Sequence, residues 1–198
     1  MKKVITISRE FGSGGRTIGK MVAEKLGYKF YDGELIAKVS SATGFAPDYV
    51  KARGEYAPST SSFSYSMMGR GREGTFTDDL LFNAQRDVIK SAAEEGNCVI
   101  VGRCADYILK DRKDTMHVFI YADKKFRADR IVRVYGTNSK KPEKRVEEKD
   151  KKRRINYKYF TDRTWGDYHN YNICLDSGLI GIEKCVDIIC DIAKGEEE

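Results

Sequence analysis

A β-branched run, Val4-Ile5-Thr6-Ile7, breaks within a few residues into Gly12-Ser13-Gly14-Gly15, and a helical pattern takes over at once. No other stretch limits the fold as much. Glycines permit left-handed backbone and let an anion approach the main chain, while the helix start behind them offers unpaired N–H groups and the positive end of its dipole. Ile18, Met21, Val22 and Leu26 share one helical face, and Gly27 is a natural stop. The unit reads as strand, phosphate-type loop, helix, although an ordinary tight turn between strand and helix has the same appearance. The strict motif GxxxxGK followed by Ser or Thr is not met. Gly14 to Lys20 spells GxxxxGK, but Met21 follows, and Lys20 falls inside the helix, well past the loop.

Further along, Tyr28 to Tyr31 reads as a second strand and Glu34 to Ser41 as a short helix. From Arg53 to Phe76 the periodicity dissolves: five serines fall between Ser59 and Ser66, then Gly69, Gly71 and Gly74, as expected of a flexible flap at 53–76. Thr77 is the expected N-cap of the next helix, with Asp78 and Asp79 in its first turn and Leu80, Leu81, Ala84, Val88 and Ala92 as its stripe. Cys98 to Val101, Met116 to Ala122 and Asn172 to Leu175 are apolar strands of the doubly buried kind, and the last helix is expected from Ser177. Strands alternating with helices predict an α/β fold, a central parallel sheet of about five strands with helices on both faces. At 198 residues without a visible repeat, residues 1–198 read as a single domain.

Charge and cysteines narrow the function. Lysine plus arginine number 36 against 30 acidic residues, a net charge of +6. Nine basic and four acidic residues fall between Ser139 and Arg154, so nearly all of that excess is local. A concentrated cluster suits an anionic small ligand better than a nucleic-acid face, which leaves RNA binding secondary. Val4 to Ile7 is far too short for a signal-peptide core or a membrane span. Five cysteines without CxxC spacing or neighbouring histidines read as reduced thiols, and a cytoplasmic protein with no membrane partner is expected.

From Ile5 to Lys38 the segment ITISREFGSGGRTIGKMVAEKLGYKFYDGELIAK, together with VGRCADYIL later on, resembles the cytidylate-kinase-like family of P-loop proteins. Arg127 to Arg133 and the segment 174–185 match in order. The resemblance implies a three-layer P-loop nucleotide kinase fold with a helical lid, here a basic lid at 137–170. It also implies ATP and Mg²⁺ as cofactors and phosphoryl transfer to a nucleoside monophosphate or a related small phosphorylated acceptor. On this resemblance Gly12, Ser13, Gly14, Gly15, Arg16 and Thr17 hold the donor with Arg133 and Arg153, and Thr17 helps hold the metal. Asp32, Lys38, Arg103 and Asp106 form the acceptor side, and Arg16, Arg103 and Arg130 serve the transfer itself. Arg103 also stands out without the resemblance, since it follows an apolar strand and a glycine at a strand's carboxyl end, where open α/β sheets bind ligands.

The departures matter equally. Gly15 stands where the relatives carry the phosphate-binding lysine, and Val101 where they carry an aspartate. Arg16 is the expected replacement for the lysine, with Arg9 at the loop entrance a second one, and Asp106 reads equally as a replacement for the aspartate or as an ordinary helix-start residue. Arg127, Arg130 and Arg133, spaced by three, are expected near one helical face. The aromatic stretch Tyr157, Tyr159, Phe160, Trp165 and Tyr168 is expected to pack rather than to stack a base. The alternative reading is a nucleotide-binding sensor that lacks catalysis because the lysine is gone. The expected partner is a small-molecule nucleotide, and a homo-oligomer is compatible with this sequence.

Overall fold

The computed structural model describes residues 1–56, 73–136 and 141–195. Residues 57–72 of the expected flap and 137–140 of the expected lid lie outside them. Five strands, β1 (Val4–Arg9), β2 (Lys29–Tyr31), β3 (Cys98–Val101), β4 (Thr115–Tyr121) and β5 (Ile173–Asp176), form one parallel sheet in the order β2-β3-β1-β4-β5. Val4 is in register with both Cys98 and Thr115. The carboxyl ends of the strands therefore gather at one edge of the sheet. β3 is buried at every residue and runs apolar without alternation, whereas β1, equally buried, carries Thr6 and Ser8, whose hydroxyls bond to His117 and Asp106 inside the protein.

The helices are α1 (Gly15–Leu26), α2 (Gly33–Thr43), α3 (Pro47–Arg53), α4 (Glu73–Glu95), α5 (Ala105–Ile108), α6 (Lys124–Tyr135), α7 (Pro142–Thr161), α8 (Ser177–Ile180) and α9 (Ile182–Lys194). They cover the sheet from both sides. Ile18 and Val22 of α1 with Ile189 and Cys190 of α9 pack on Ile5, Ile7, Val99 and Val118. Leu35 and Val39 of α2 with Leu81 and Ile89 of α4 pack on Val4, Cys98 and Ile100. Each such aliphatic side chain contributes about 1.5–3 kcal/mol on full burial. No described helix is long and apolar enough to cross a membrane.

Two boundaries differ from expectation. α4 begins at Glu73 rather than behind Thr77, because Asp78 is buried and accepts from Arg53 Nη2 at 2.5 and 2.7 Å instead of serving a free helix start. The final helix is split: Asp176 caps α8 by accepting from Gly178 N and Leu179 N, and Gly181, at φ +88°, turns the chain into α9. In α7 the buried positions Val146, Asp150, Arg153, Tyr157 and Thr161 recur every three or four residues, so a helix that looks merely charged has an inner face built largely of polar groups. Of the aromatics at its end and beyond, Phe160 stacks on Phe82 at 4.2 Å and Trp165 meets Phe119 edge-on at 5.4 Å, while Tyr168 is exposed.

Candidate active site

The loop between β1 and α1 is held from below. Ser13 is fully buried; its Oγ lies 2.9 Å from Glu10 O and 3.2 Å from Ile120 O, and its own carbonyl accepts from Ser177 Oγ at 2.5 Å. Its hydroxyl therefore shapes the loop, and its own main chain is held inward as well, with the N–H donating to Glu10 O at 3.3 Å. Gly12 and Gly14 both have φ +87°, and a Cβ on Gly12 would lie 2.7 Å from Arg127 O. No side chain caps α1 at Gly14, which leaves the first-turn N–H groups for an anion. Thr17 is exposed on that turn, and its Oγ1 accepts from Arg130 Nη2 at 3.0 Å. Beside the loop, Phe126, Arg130, Arg133, Val134, Gly178 and Ile182 line a cavity of about 360 Å³.

Arg127 does not join Arg130 and Arg133 at this cavity. Each step of three residues falls about 60° short of a full turn, so the face has rotated by about 120° from Arg127 to Arg133. Arg127 is instead buried; its Nε donates to Ala122 O at 2.9 Å, and its guanidinium pairs with Asp150 and Glu10. Asp150 also accepts from Phe11 N at 2.8 Å, and Arg127 Nη1 donates to Phe11 O at 3.2 Å. The pair thus clamps the loop main chain to α7. Nothing in a three-residue arginine spacing marks Glu10 or Asp150 as partners.

Across the strand ends lies a second group of cations. Gly102, Arg103 and Cys104 have φ +75°, +57° and +56° in succession, a strained corner at the end of β3. Arg103 is buried, and its Nη1 donates to Gln85 Oε1 and, at 3.4 Å, to Val50 O. Burial lowers its pKa to about 10, opposed by the negative charge of Asp32. Next to it lie Arg9 and Arg153, and Glu55 takes both of them. Arg9 is pulled down to about 9, chiefly by burial and then by the like charge of Arg153. Arg153 Nη1 also donates to Arg9 O at 3.1 Å and its Nη2 to Tyr56 OH at 2.9 Å.

The remaining expected residues divide. Arg16 is largely exposed, its Nε 2.6 Å from Asp32 Oδ2, so it bridges α1 to the start of α2 at the mouth of the site. Asp106 is not placed as a replacement metal ligand: it is buried, Oδ1 accepts from Ser8 Oγ at 3.1 Å and Oδ2 from Tyr157 OH at 2.6 Å. Burial raises its pKa despite those two bonds. Lys38 is not brought to Arg103. Its ammonium is 3.5 Å from Tyr31 OH and 3.9 Å from Glu95, which closes α4 just ahead of β3, whereas Arg103 follows the other end of that strand. Lys20, exposed and 3.6 Å from Glu24, has no part in the loop. Among the described residues no three His, Cys, Asp or Glu side chains group as a metal cage. Mg²⁺ commonly rests on one or two carboxylates with substrate phosphates and water; Thr17 offers the loop's exposed hydroxyl instead, bonded to Arg130.

Comparison with known proteins agrees with this architecture. The sequence model of the cytidylate kinase-like family matches residues 4–179. The chain is 29% identical over 188 residues to a cytidylate kinase of Archaeoglobus fulgidus, covering 93% of this chain and 91% of that protein. It is 25% identical over 185 residues to a cytidylate kinase of Methanopyrus kandleri, with 88% and 84% covered. Among solved structures, an uncharacterized protein of Eubacterium ventriosum superimposes with a TM-score of 0.73 at 26% identity, covering 98% and 99% of the two chains. A shikimate kinase of Bacteroides thetaiotaomicron, at 16% identity and a TM-score of 0.58 over 96% and 98%, shares the fold. A glycine loop opening a helix, a parallel sheet with that loop at its carboxyl edge, and a match over most of the length converge: the chain belongs to the cytidylate kinase-like family and is built as a kinase-type phosphotransferase.

Proposed function

We propose that this protein transfers the γ-phosphoryl group of ATP to a nucleoside monophosphate, with cytidylate the reference acceptor. The observation that carries this reading is the presence of two groups of cations at one sheet edge: Arg130 and Arg133 beside the glycine loop, and the buried Arg103 with Asp32 beside it. In-line phosphoryl transfer needs placement and charge neutralisation rather than a covalent catalyst, and that is what this site offers.

The first-turn N–H groups of α1 and the glycines hold the β- and γ-phosphates, and the cavity between α6 and α9 takes the donor base and ribose. Thr17 and the donor phosphates hold Mg²⁺, which supplies charge neutralisation when bound. Arg130, already on Thr17, reaches the same phosphates. Arg103 clamps the acceptor phosphate, and Asp32, fixed by Arg16, orients the acceptor sugar. Arg153 contributes from α7. All five cysteines are free thiols, in keeping with a reducing, cytoplasmic setting.

The test is ADP release from ATP and Mg²⁺ with a panel of monophosphates. The expected result is ADP formation that depends on the monophosphate and is fastest with CMP. Nucleotide binding without turnover on any monophosphate would support the sensor reading, which the glycine at position 15 and the valine at 101 favour.

A further inference from the structure

We propose that Arg9 is the cation of this loop that receives the phosphoryl oxygens, and that Glu55 is its resting counter-ion, displaced when those oxygens arrive. The inference rests on the phosphotransfer reading and assigns a working residue that the lysine-based motif does not contain. The sequence puts Arg16 first and Arg9 second as replacements for the lysine. Their surroundings separate them.

A Cβ on Gly15 would lie 2.5 Å from Arg9 Cβ and 2.9 Å from its Cγ, so the stem of Arg9 fills the space a side chain at position 15 would need. The guanidinium is buried and makes two bonds to the Glu55 carboxylate, Nη1 to Oε1 and, at 3.0 Å, Nη2 to Oε2. Arg16, by contrast, keeps 63% of its side chain exposed and is engaged by Asp32. Arg9, Arg103 and Arg153 line one small cavity, and Glu55 is the one carboxylate among its lining residues. Arg153 Nη2 stands 3.7 Å from Glu55 Oε2, and its buried Nε finds no partner among the described residues.

Arg9 and Arg153 share Glu55, Arg153 stands 3.8 Å from an Asp150 that Arg127 already holds, and Arg103 beside them bonds to an amide and a carbonyl, so positive charge exceeds negative in this buried corner, and such charge is stable only when paired. A carboxylate and a phosphoryl group present oxygens to a guanidinium fork in the same bidentate manner, which explains how a side chain can hold this place. Gly102 makes room for the pair itself, since a Cβ there would strike both Arg9 and Glu55. Glu55 sits two residues past the end of α3, on a chain turn rather than inside an element, where a small backbone movement withdraws it.

The experiment is calorimetric titration of the full chain with inorganic pyrophosphate, alongside steady-state phosphoryl transfer. Arg9→Ala is expected to abolish measurable pyrophosphate binding and to lower kcat about 100- to 1,000-fold, more than Arg16→Ala does. Glu55→Gln is expected to tighten pyrophosphate several-fold, which a purely structural ion pair would not do. Arg9→Gly combined with Gly15→Lys, which removes the overlapping Cβ and returns a cation from the other side of the contact, is expected to recover part of the turnover lost in Arg9→Gly. Unchanged binding and turnover in Arg9→Ala would overturn the assignment, as would Glu55→Gln with unaltered affinity. If Arg9→Ala does not fold, by circular dichroism, Arg9→Lys and Glu55→Gln decide the matter on the same two readouts. Should the wild-type chain show this pyrophosphate pattern and yet phosphorylate no monophosphate, the transfer reading fails while Arg9 remains the phosphate-binding cation.

Discussion

Arg103 occupies a conformation that an arginine seldom adopts, between two other residues of positive φ, and holds a buried charge satisfied by an amide and a carbonyl rather than by a carboxylate. Each non-glycine residue of this kind costs about 1–3 kcal/mol, which the surrounding packing must offset. Such strain, at the carboxyl end of a strand, is what the proposed role of Arg103 as acceptor clamp would account for. Arg103→Ala is expected to lower kcat/KM by about 100- to 1,000-fold, while thermal unfolding shows a stability no lower than that of the unaltered chain. A marked loss of stability with near-normal kinetics would make Arg103 a structural residue. The strand-glycine-arginine order made Arg103 legible in the sequence. What the order does not carry is burial: Arg9 and Arg16 look alike as residues near glycines, and only the packing of Arg9 on Gly15 separates them.

At the scale of elements, the loop depends on a helix over a hundred residues away. Asp150, on α7, accepts from Phe11 N and pairs with Arg127, and all three are remote in sequence. Asp150→Ala leaves the buried Arg127 without its closest carboxylate, and a loss of about 3–5 kcal/mol in urea unfolding is expected, together with a raised KM for ATP as the loop loosens. An unchanged unfolding midpoint would show that Glu10 alone sustains Arg127. The five strands and most helices were legible because their apolar patterns follow one period each. α7 was legible as basic but not as half-buried, because its inner face is polar and pairs with groups brought by topology. The start of α4 was misplaced for a related reason: Asp78 resembles a first-turn carboxylate until Arg53 of α3 is seen to hold it.

For the whole molecule, a buried polar contact ties two strands of the sheet: His117 on β4, whose Nδ1 lies 2.8 Å from Thr6 Oγ1 of β1. Burial, with help from the charges of Arg163 and Lys2, depresses its pKa from 6.5 to about 4. The unfolded chain therefore takes up a proton between about 6.5 and about 4 that the folded chain refuses. Its contribution is fully present above about 6.5 and is lost as pH falls toward about 4, amounting at most to about 3 kcal/mol. Urea unfolding at pH 7 and pH 5 is expected to show lower stability at pH 5, and His117→Asn is expected to flatten that dependence. An equal slope in wild type and variant would assign the acid sensitivity to the carboxylates instead.

The same architecture sets two groups of cations at the carboxyl edge of one sheet, and on the proposed reading a phosphoryl group crosses between them. The most direct measurement is the fate of the γ-phosphate: purified protein with γ-labelled ATP, Mg²⁺ and CMP, followed by separation of the nucleotides. Label is expected to appear in CDP, with ADP formed in equal amount and no label transferred when the monophosphate is omitted. Retention of the label in ATP, under conditions where ATP is demonstrably bound, would contradict phosphoryl transfer and leave a nucleotide-binding protein.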